Sequence, residues 1–299
     1  MIEADQRDSR RRDSDIQSHE NRGRNLALRV VSAAVLAPAV LLLTYIGGWP
    51  FLALCFLGAL GILYEWTWLV AENTASRILV PGTLGLVAAA LLAGLALPNV
   101  ALLAIVIGAV VAALLSALRG RGGGDKRAAG WASGGVVYAG AALLGPALLR
   151  RDPDWGLSAL LLLFATVWAT DIFAFCCGRL VGGPLLSPGI SPKKTWSGAI
   201  GGLAGGVAAG IGVAYTVGIG RLGIIGAMAL LLSVLAQAGD LLESAIKRRF
   251  GAKDSGALIP GHGGLMDRLD GFLVAAIFAL VIGALRNGTA APATGLLVW

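Results

Sequence analysis

The chain has 299 residues, of which 57% are hydrophobic and only 14% charged, and its mean hydropathy is +0.78. That balance excludes a soluble globular domain, whose polar fraction must cover its outside. The formal net charge of +7 could mark a nucleic-acid binder. However, the basic residues are scattered between apolar runs as membrane topology requires, so no nucleic-acid partner is expected.

Residues 1–25 are polar and mix Arg, Asp, Glu and Ser, with too little apolar surface to build a core; a disordered cytosolic tail is expected there. No cleavable signal peptide is read, because the first apolar run is long enough to span and others follow it. A membrane helix needs about 20 mostly apolar residues. Nine runs qualify: 27–46, 50–70, 79–97, 100–118, 131–149, 156–177, 198–217, 222–246 and 271–291. The expectation is an all-α, multi-pass transmembrane protein of about nine spans. Only Pro98 and Asn99 separate the third and fourth runs, so these form a tight hairpin. The fifth, rich in Gly and Ala, is the weakest. Three regions follow: the tail at 1–25, N-terminal transmembrane helices over 26–155, and a catalytic transmembrane region over 156–299.

Orientation comes from the basic residues. With the N-terminus in the cytosol, the cytosolic segments hold the tail arginines, Arg77, then Arg119, Arg121, Lys126 and Arg127, then Arg179, Lys193 and Lys194, and finally Lys247, Arg248, Arg249, Lys253 and Arg268. The other side keeps Arg150, Arg151, Arg221 and Arg286. An integral membrane protein of a bacterial inner membrane, with its polar loops in the cytosol, is the expectation. Cys55, Cys176 and Cys177 lie in apolar runs without zinc spacing and read as small buried hydrophobes.

The first chemistry along the chain is Asp171, inside the apolar run 156–177. After it comes a glycine- and proline-containing connection with Ser191, Lys193, Lys194, Thr195 and Trp196. Two lysines and two hydroxyls on a proline-stiffened turn make a phosphate grip. They read equally as interfacial lysines beside a headgroup-level tryptophan.

The run 222–246 ends in Asp240, Glu243, Ser244, Lys247 and Arg248. The first four are spaced i, i+3, i+4 and i+7, on one helix face over about 10 Å. A local Glu243–Lys247 pair would explain two of them, but not the deeper Asp240, whose burial is costly unless partnered. The connection 247–270 then carries Lys253, Asp254, His262, Gly263, Gly264, Asp267, Arg268 and Asp270. Its glycines allow close backbone approach to an anion. His262 reads equally as a ligand contact or a loop organiser. Asp267 and Asp270, three apart at the entrance to the final helix, suit Mg²⁺, a hard ion that favours oxygen ligands and bridges to phosphates. No P-loop and no G-x-S-x-G elbow is present. Phosphate, divalent metal, cytosolic face and lipid together point to phosphoryl or nucleotidyl transfer onto a membrane-embedded lipid.

At these residues the chain resembles the phosphatidate cytidylyltransferases, or CDP-diacylglycerol synthases. Their signature is matched by Ser244, Lys247, Arg248, then Lys253, Asp254, Gly256, then Pro260, Gly261, His262, Gly263, Gly264, and Asp267, Arg268, Asp270. The segment from Ser191 to Trp196 and the pair Gly239-Asp240 are also similar. One departure is Ser197, where the family often has Glu. The resemblance is specific over 171–270. It implies a reaction of CTP with phosphatidate to give CDP-diacylglycerol and pyrophosphate, a requirement for Mg²⁺, and often a homodimer. On that basis Asp240, Asp267 and Asp270 are expected to hold the metal, with Asp171, Glu243 and Asp254 as further candidates. Asp240, Lys247, Asp267 and Asp270 form the expected catalytic set. Lys193, Lys194, Lys247 and Arg248 would hold phosphates, while Lys253 and Arg268 offset charge on the leaving pyrophosphate. Ser191, Thr195, Ser244, His262, Gly263 and Gly264 complete the expected substrate contacts. A related enzyme using another lipid phosphate or nucleotide is the nearer alternative. A transporter binding ions at Asp171, Asp240 and Glu243 is the alternative from another class; against it, the polar residues gather toward one face and no repeat is evident.

Overall fold

The computed structural model describes residue 32 and residues 34–71, 75–118, 126–256, 258 and 263–299. The tail expected at 1–25 lies outside the described residues, as does His262. The described helices are α1 (Ala34–Ile46), α2 (Gly48–Val70), α3 (Ser76–Gly94), α4 (Pro98–Ala117), α5 (Lys126–Arg151), α6 (Gly156–Val181), α7 (Trp196–Thr216), α8 (Leu222–Arg249), α9 (Met266–Asn287) and α10 (Pro292–Leu297). A short ribbon of β1 (Leu185–Ser187) and β2 (Ser191–Thr195) precedes α7.

Helices α2 to α9 are long and apolar enough to cross a bilayer, and α1 is the described part of the first apolar run. The protein is an all-α, multi-pass membrane protein. Helices satisfy their own backbone polar groups, which lipid cannot do. Leu57, Trp68, Leu84, Leu102, Ile107, Leu114, Ile172 and Phe175 are exposed; such a surface suits hydrocarbon rather than water.

The fifth run, weakest by composition, becomes α5, the most enclosed of the spans. Its small residues are the reason. Gly135 lies against the Trp66 ring and Gly140 against Ile105, and a Cβ at either would collide. Small residues let neighbouring helices approach closely without needing hydropathy of their own. The α3–α4 hairpin forms as expected. Ala96 turns at φ 71°, the amide of Leu97 donates to Leu92 at 2.9 Å, and Pro98 opens α4. Proline at a first helical position gives up no hydrogen bond.

The two ends of the bundle are distinct. At one end Arg150 donates to the carbonyls of Thr44 at 2.6 Å and Tyr45 at 2.9 Å, closing the end of α1. Nearby, the fully buried Asp152 accepts from the amides of Trp155 at 3.2 Å and Thr294 at 2.6 Å. This fold-back through α10 was not expected from the sequence. At the other end gather the close of α6, the ribbon, the start of α7, the close of α8 and the start of α9.

Several boundaries differ from expectation. Helix α6 continues to Val181 and α8 to Arg249, while α9 already begins at Met266. Charged residues can continue a helix past its apolar run by snorkelling, and cations are favoured in a last turn. Asp267 and Asp270 therefore sit in the first turns of α9 rather than before it. The connection 178–197, read as a loop, is partly an antiparallel ribbon pairing Leu185 with Thr195 and Ser187 with Ser191, turned at Pro188-Gly189. Cys55 is buried and Cys177 half-buried, but Cys176 is exposed, correcting the expectation that all three are buried. A thiol behaves as a small hydrophobe and can face lipid as readily as a core.

Candidate functional site

The site is assembled where α8 and α9 touch. Gly239 makes the approach possible, since a Cβ there would lie 2.8 Å from the Asp270 carbonyl. The face expected to carry Asp240, Glu243 and Lys247 divides between two partners. Asp240 meets Lys194 from β2, Oδ2 to Nζ at 2.5 Å. Glu243 and Lys247 pair at 2.6 Å, and the same ammonium donates to Asp267 Oδ1 of α9 at 2.5 Å. Glu243 is only 2% exposed and Lys247 8%. Glu243 and Asp267 thus share one buried ammonium.

Asp171 and Asp270 belong to the Lys194–Asp240 group. The charge of Asp240 bears on both of them, and so does that of Lys194. Three carboxylates from α6, α8 and α9 thus share one electrostatic neighbourhood with Lys194, which contacts Asp240. Asp171 is exposed on α6, while Asp240 and Asp270 are half-buried.

The two described ends of the connection between α8 and α9 are held through their backbone amides. After α8 the chain turns at Gly251, φ 70°, with the amides of Gly251 and Ala252 donating back to Arg248 at 3.1 Å and Lys247 at 2.9 Å. Glycine takes this left-handed helix-ending position without a Cβ penalty. Beyond it, the Ser255 amide donates to Asp267 Oδ2 at 3.0 Å and the Gly264 amide to the same oxygen at 3.2 Å.

A residue that the sequence reading passed over completes this arrangement. Glu65 of α2 accepts from the amides of Leu265 at 2.9 Å and Met266 at 2.8 Å, and from the Ser255 hydroxyl at 3.0 Å. It thereby caps the start of α9 from another helix. A signal was available: Glu65 stands alone in the apolar run 50–70, where a carboxylate is costly unless partnered.

The other expected residues are less converged. Thr195 caps α7 by accepting from the Gly198 amide at 3.1 Å, so its side-chain oxygen already serves the fold. Ser197 donates to the Gly182 carbonyl and lies 3.0 Å from the Thr195 hydroxyl. Ser191 and Ser244 are half-buried, and Lys193, Lys253, Asp254 and Arg268 are exposed. Arg248 is exposed and donates to the Ala252 carbonyl at 2.9 Å. Gly263 adopts φ 88° and Gly264 is buried. A cavity of about 140 Å³ lined by Trp49, Leu52, Gly94 and Arg151 opens at the other end of the bundle, away from these groups.

The model of the cytidylyltransferase family matches residues 27–285. The chain belongs to this family. Among similar proteins, the phosphatidate cytidylyltransferase of Brucella abortus biovar 1 (strain 9-941) is 42% identical over 261 residues, covering 87% of this chain and 94% of that protein. The phosphatidate cytidylyltransferase of Staphylococcus haemolyticus (strain JCSC1435) is 41% identical over 139 residues, covering 46% of this chain and 52% of that protein. That of Staphylococcus aureus (strain COL) is 44% identical over 119 residues, covering 40% and 46%.

For a cytidylyltransferase the donor set at α6, α8 and α9 fits a hard divalent ion in its chemistry. Asp171, Asp240 and Asp270 offer oxygen ligands and more negative charge than Lys194 offsets. As the side chains stand, no three such groups among the described residues converge closely enough to hold one. The ammonium of Lys194 is the cation at Asp240 in this arrangement. Asp267 differs from the other aspartates: its oxygens already accept from Lys247, Ser255 and Gly264, and a metal there would have to displace them.

Proposed function

We propose that this cytidylyltransferase is a phosphatidate cytidylyltransferase, joining CTP and phosphatidate into CDP-diacylglycerol and pyrophosphate in phospholipid biosynthesis. The observation that carries this reading is the gathering, at one end of a membrane bundle, of the Lys194–Asp240 and Lys247–Asp267 pairs within the segment that resembles the family. The 42% identity to a phosphatidate cytidylyltransferase across 87% of the chain supports the choice of substrates.

In the reaction a phosphate oxygen of phosphatidate attacks the α-phosphorus of CTP. A new P–O bond forms, the bond to the bridging oxygen of the β-phosphate breaks, and pyrophosphate departs. Such a transfer needs positioning and charge neutralisation more than covalent help from the protein. The nucleophile is already an anionic oxygen, so no protein base is required. Lys193, Lys194, Lys247 and Arg248 hold phosphates, and Lys253 and Arg268 offset charge on the leaving group. Asp240 and Asp270, with Asp171, would hold Mg²⁺. When bound, the ion supplies positive charge at phosphate oxygens. Asp267 orients Lys247 and the amides of Ser255 and Gly264.

The active site is read as facing the cytosol of a bacterial inner membrane. Arg77, Lys126, Arg179, Lys193, Lys247, Arg249 and Lys253 stand at or near helix ends on the site side, against Arg150, Arg151, Arg221 and Arg286 opposite, which is the asymmetry of positive-inside topology. The family resemblance also favours a homodimer, which light scattering of the purified protein in detergent checks. The reaction is tested with purified protein in mixed micelles containing phosphatidate, Mg²⁺ and each nucleoside triphosphate in turn. CTP alone should give pyrophosphate and a CDP-lipid in equal amounts. No product with any nucleotide, or equal turnover with all of them, would overturn the reading.

A further inference from the structure

We propose that Glu65 of α2 is a positioning residue of the transfer site, acting through Ser255 and residues 264–266 without touching substrate; this rests on the function proposed above. Glu65 is 1% exposed, in a helix whose buried neighbours Ile62, Leu63 and Trp66 are apolar or aromatic. A carboxylate so placed is destabilising unless its oxygens are satisfied. Among the described residues its hydrogen bonds run to Ser255 and to the start of α9: the Ser255 hydroxyl and the amides of Leu265 and Met266.

Ser255 and the residues just before α9 meet a second carboxylate from the other side. Ser255 donates its hydroxyl to Glu65 and its amide to Asp267. Gly264 donates its amide to Asp267, and the next two amides go to Glu65. Ser255 and residues 264–266 are therefore clamped between α2 and α9, and Asp267 in turn fixes Lys247 at 2.5 Å. The clamp is close: a Cβ on Gly256 would lie 2.7 Å from Glu65 Oε1, and one on Gly264 3.0 Å from Glu65 Oε2. A residue that only filled a polar gap in the bundle would bond within the bundle. Glu65 instead bonds the start of α9 and its approach, two steps from the phosphate-holding lysine. Loss of its oxygens frees two amides at a helix start, where donors have no partner of their own, and releases the Ser255 end of the clamp.

The test compares full-length wild type, Glu65→Gln and Glu65→Ala in detergent by amide hydrogen exchange and by steady-state turnover of CTP and phosphatidate with Mg²⁺. Peptides covering 253–266 should exchange faster in both variants, while those from α3, α4 and α6 keep their protection. A small displacement of a positioned group costs on the order of 10²-fold in rate, so kcat should fall by about that in Glu65→Ala. It should fall less in Glu65→Gln, which retains one acceptor oxygen. KM for phosphatidate should stay within about twofold, since uniform binding is untouched. Unchanged kcat in both variants, or unchanged exchange over 253–266, overturns the proposal. So does Glu65→Gln loosening α2 and α5 as much as the connection, which would make Glu65 a packing residue. If wild type itself forms no CDP-lipid, the proposed function fails, and the exchange pattern still decides whether Glu65 anchors the segment.

Discussion

Lys247 of α8 and Asp267 of α9, twenty residues apart in sequence, are joined Nζ to Oδ1 at 2.5 Å, with Glu243 at 2.6 Å from the same ammonium. Side-chain exposures of 10%, 13% and 2% make this a largely buried triad. Removing the cation would leave two buried carboxylates facing each other, a change that costs about 3–5 kcal/mol in comparable buried pairs. Lys247→Met is therefore expected to lower thermal stability in detergent and abolish turnover together. Asp267→Asn leaves the Lys247–Glu243 pair intact, so stability should change less while kcat falls on the order of 10²-fold. Thermal unfolding run beside pyrophosphate release separates the two effects.

The pair Lys194–Asp240 is the contrasting case. Its side chains are 28% and 36% exposed, and ion pairs with that much access to solvent contribute little to folding. Lys194→Ala and Asp240→Asn are expected to leave the unfolding temperature nearly unchanged and to cut kcat/KM for CTP at least about tenfold, roughly the cost of one lost charge-assisted contact. The charge-swapped double variant should not recover activity, because the two groups serve different partners during turnover. Recovery in the swap would show that only their mutual attraction matters.

Chelation tests the carboxylate set of α6, α8 and α9. EDTA is expected to stop turnover, and Mg²⁺ to restore it. Replacing Asp270 by Asn removes one hard oxygen ligand, so the Mg²⁺ concentration for half-maximal rate should rise by at least ~10-fold, since loss even of the groups that support a metal's ligands lowers affinity by ~10–100-fold. Asp171→Asn should shift it in the same direction. A titration unchanged in both variants would move the metal elsewhere.

The sequence made the spans α2 to α9 legible because a run of some twenty apolar residues has few other uses. It also marked Asp240 and Lys247 as candidates, since charge at membrane depth and helical spacing are both local properties, and Asp267 through its spacing from Asp270. It understated α5, because hydropathy reads small residues as weak when close packing is what they provide. It missed the ends of α6 and α8, where Arg179 and Lys247 to Arg249 prolong helices beyond their apolar runs. The role of Glu65 was the hardest to see. Its partners are 190 to 201 residues away, and only the packing of α2 beside α9 brings them together.

Two glycines separate a requirement for space from a requirement for flexibility. A Cβ on Gly264 would collide first with the Ser255 hydroxyl and would lie 2.7 Å from Asp267 Oδ2 and 3.0 Å from Glu65 Oε2, whereas one on Gly212, in α7, would meet nothing within 4 Å. Alanine at 264 must displace the Ser255 hydroxyl that Glu65 holds, and it crowds both carboxylates. Alanine at 212 enters a helix that it favours over glycine by about 0.8–1.0 kcal/mol in water. Gly264→Ala is expected to reduce kcat by ~10–10²-fold, the scale of a displaced positioning contact, with a small loss of thermal stability. Gly212→Ala should leave turnover at the wild-type rate. Side-by-side kcat measurements and unfolding curves decide the matter: a fully active Gly264→Ala would show that the clamp opens during turnover and that the close approach of Gly264 to Asp267 is not needed for transfer.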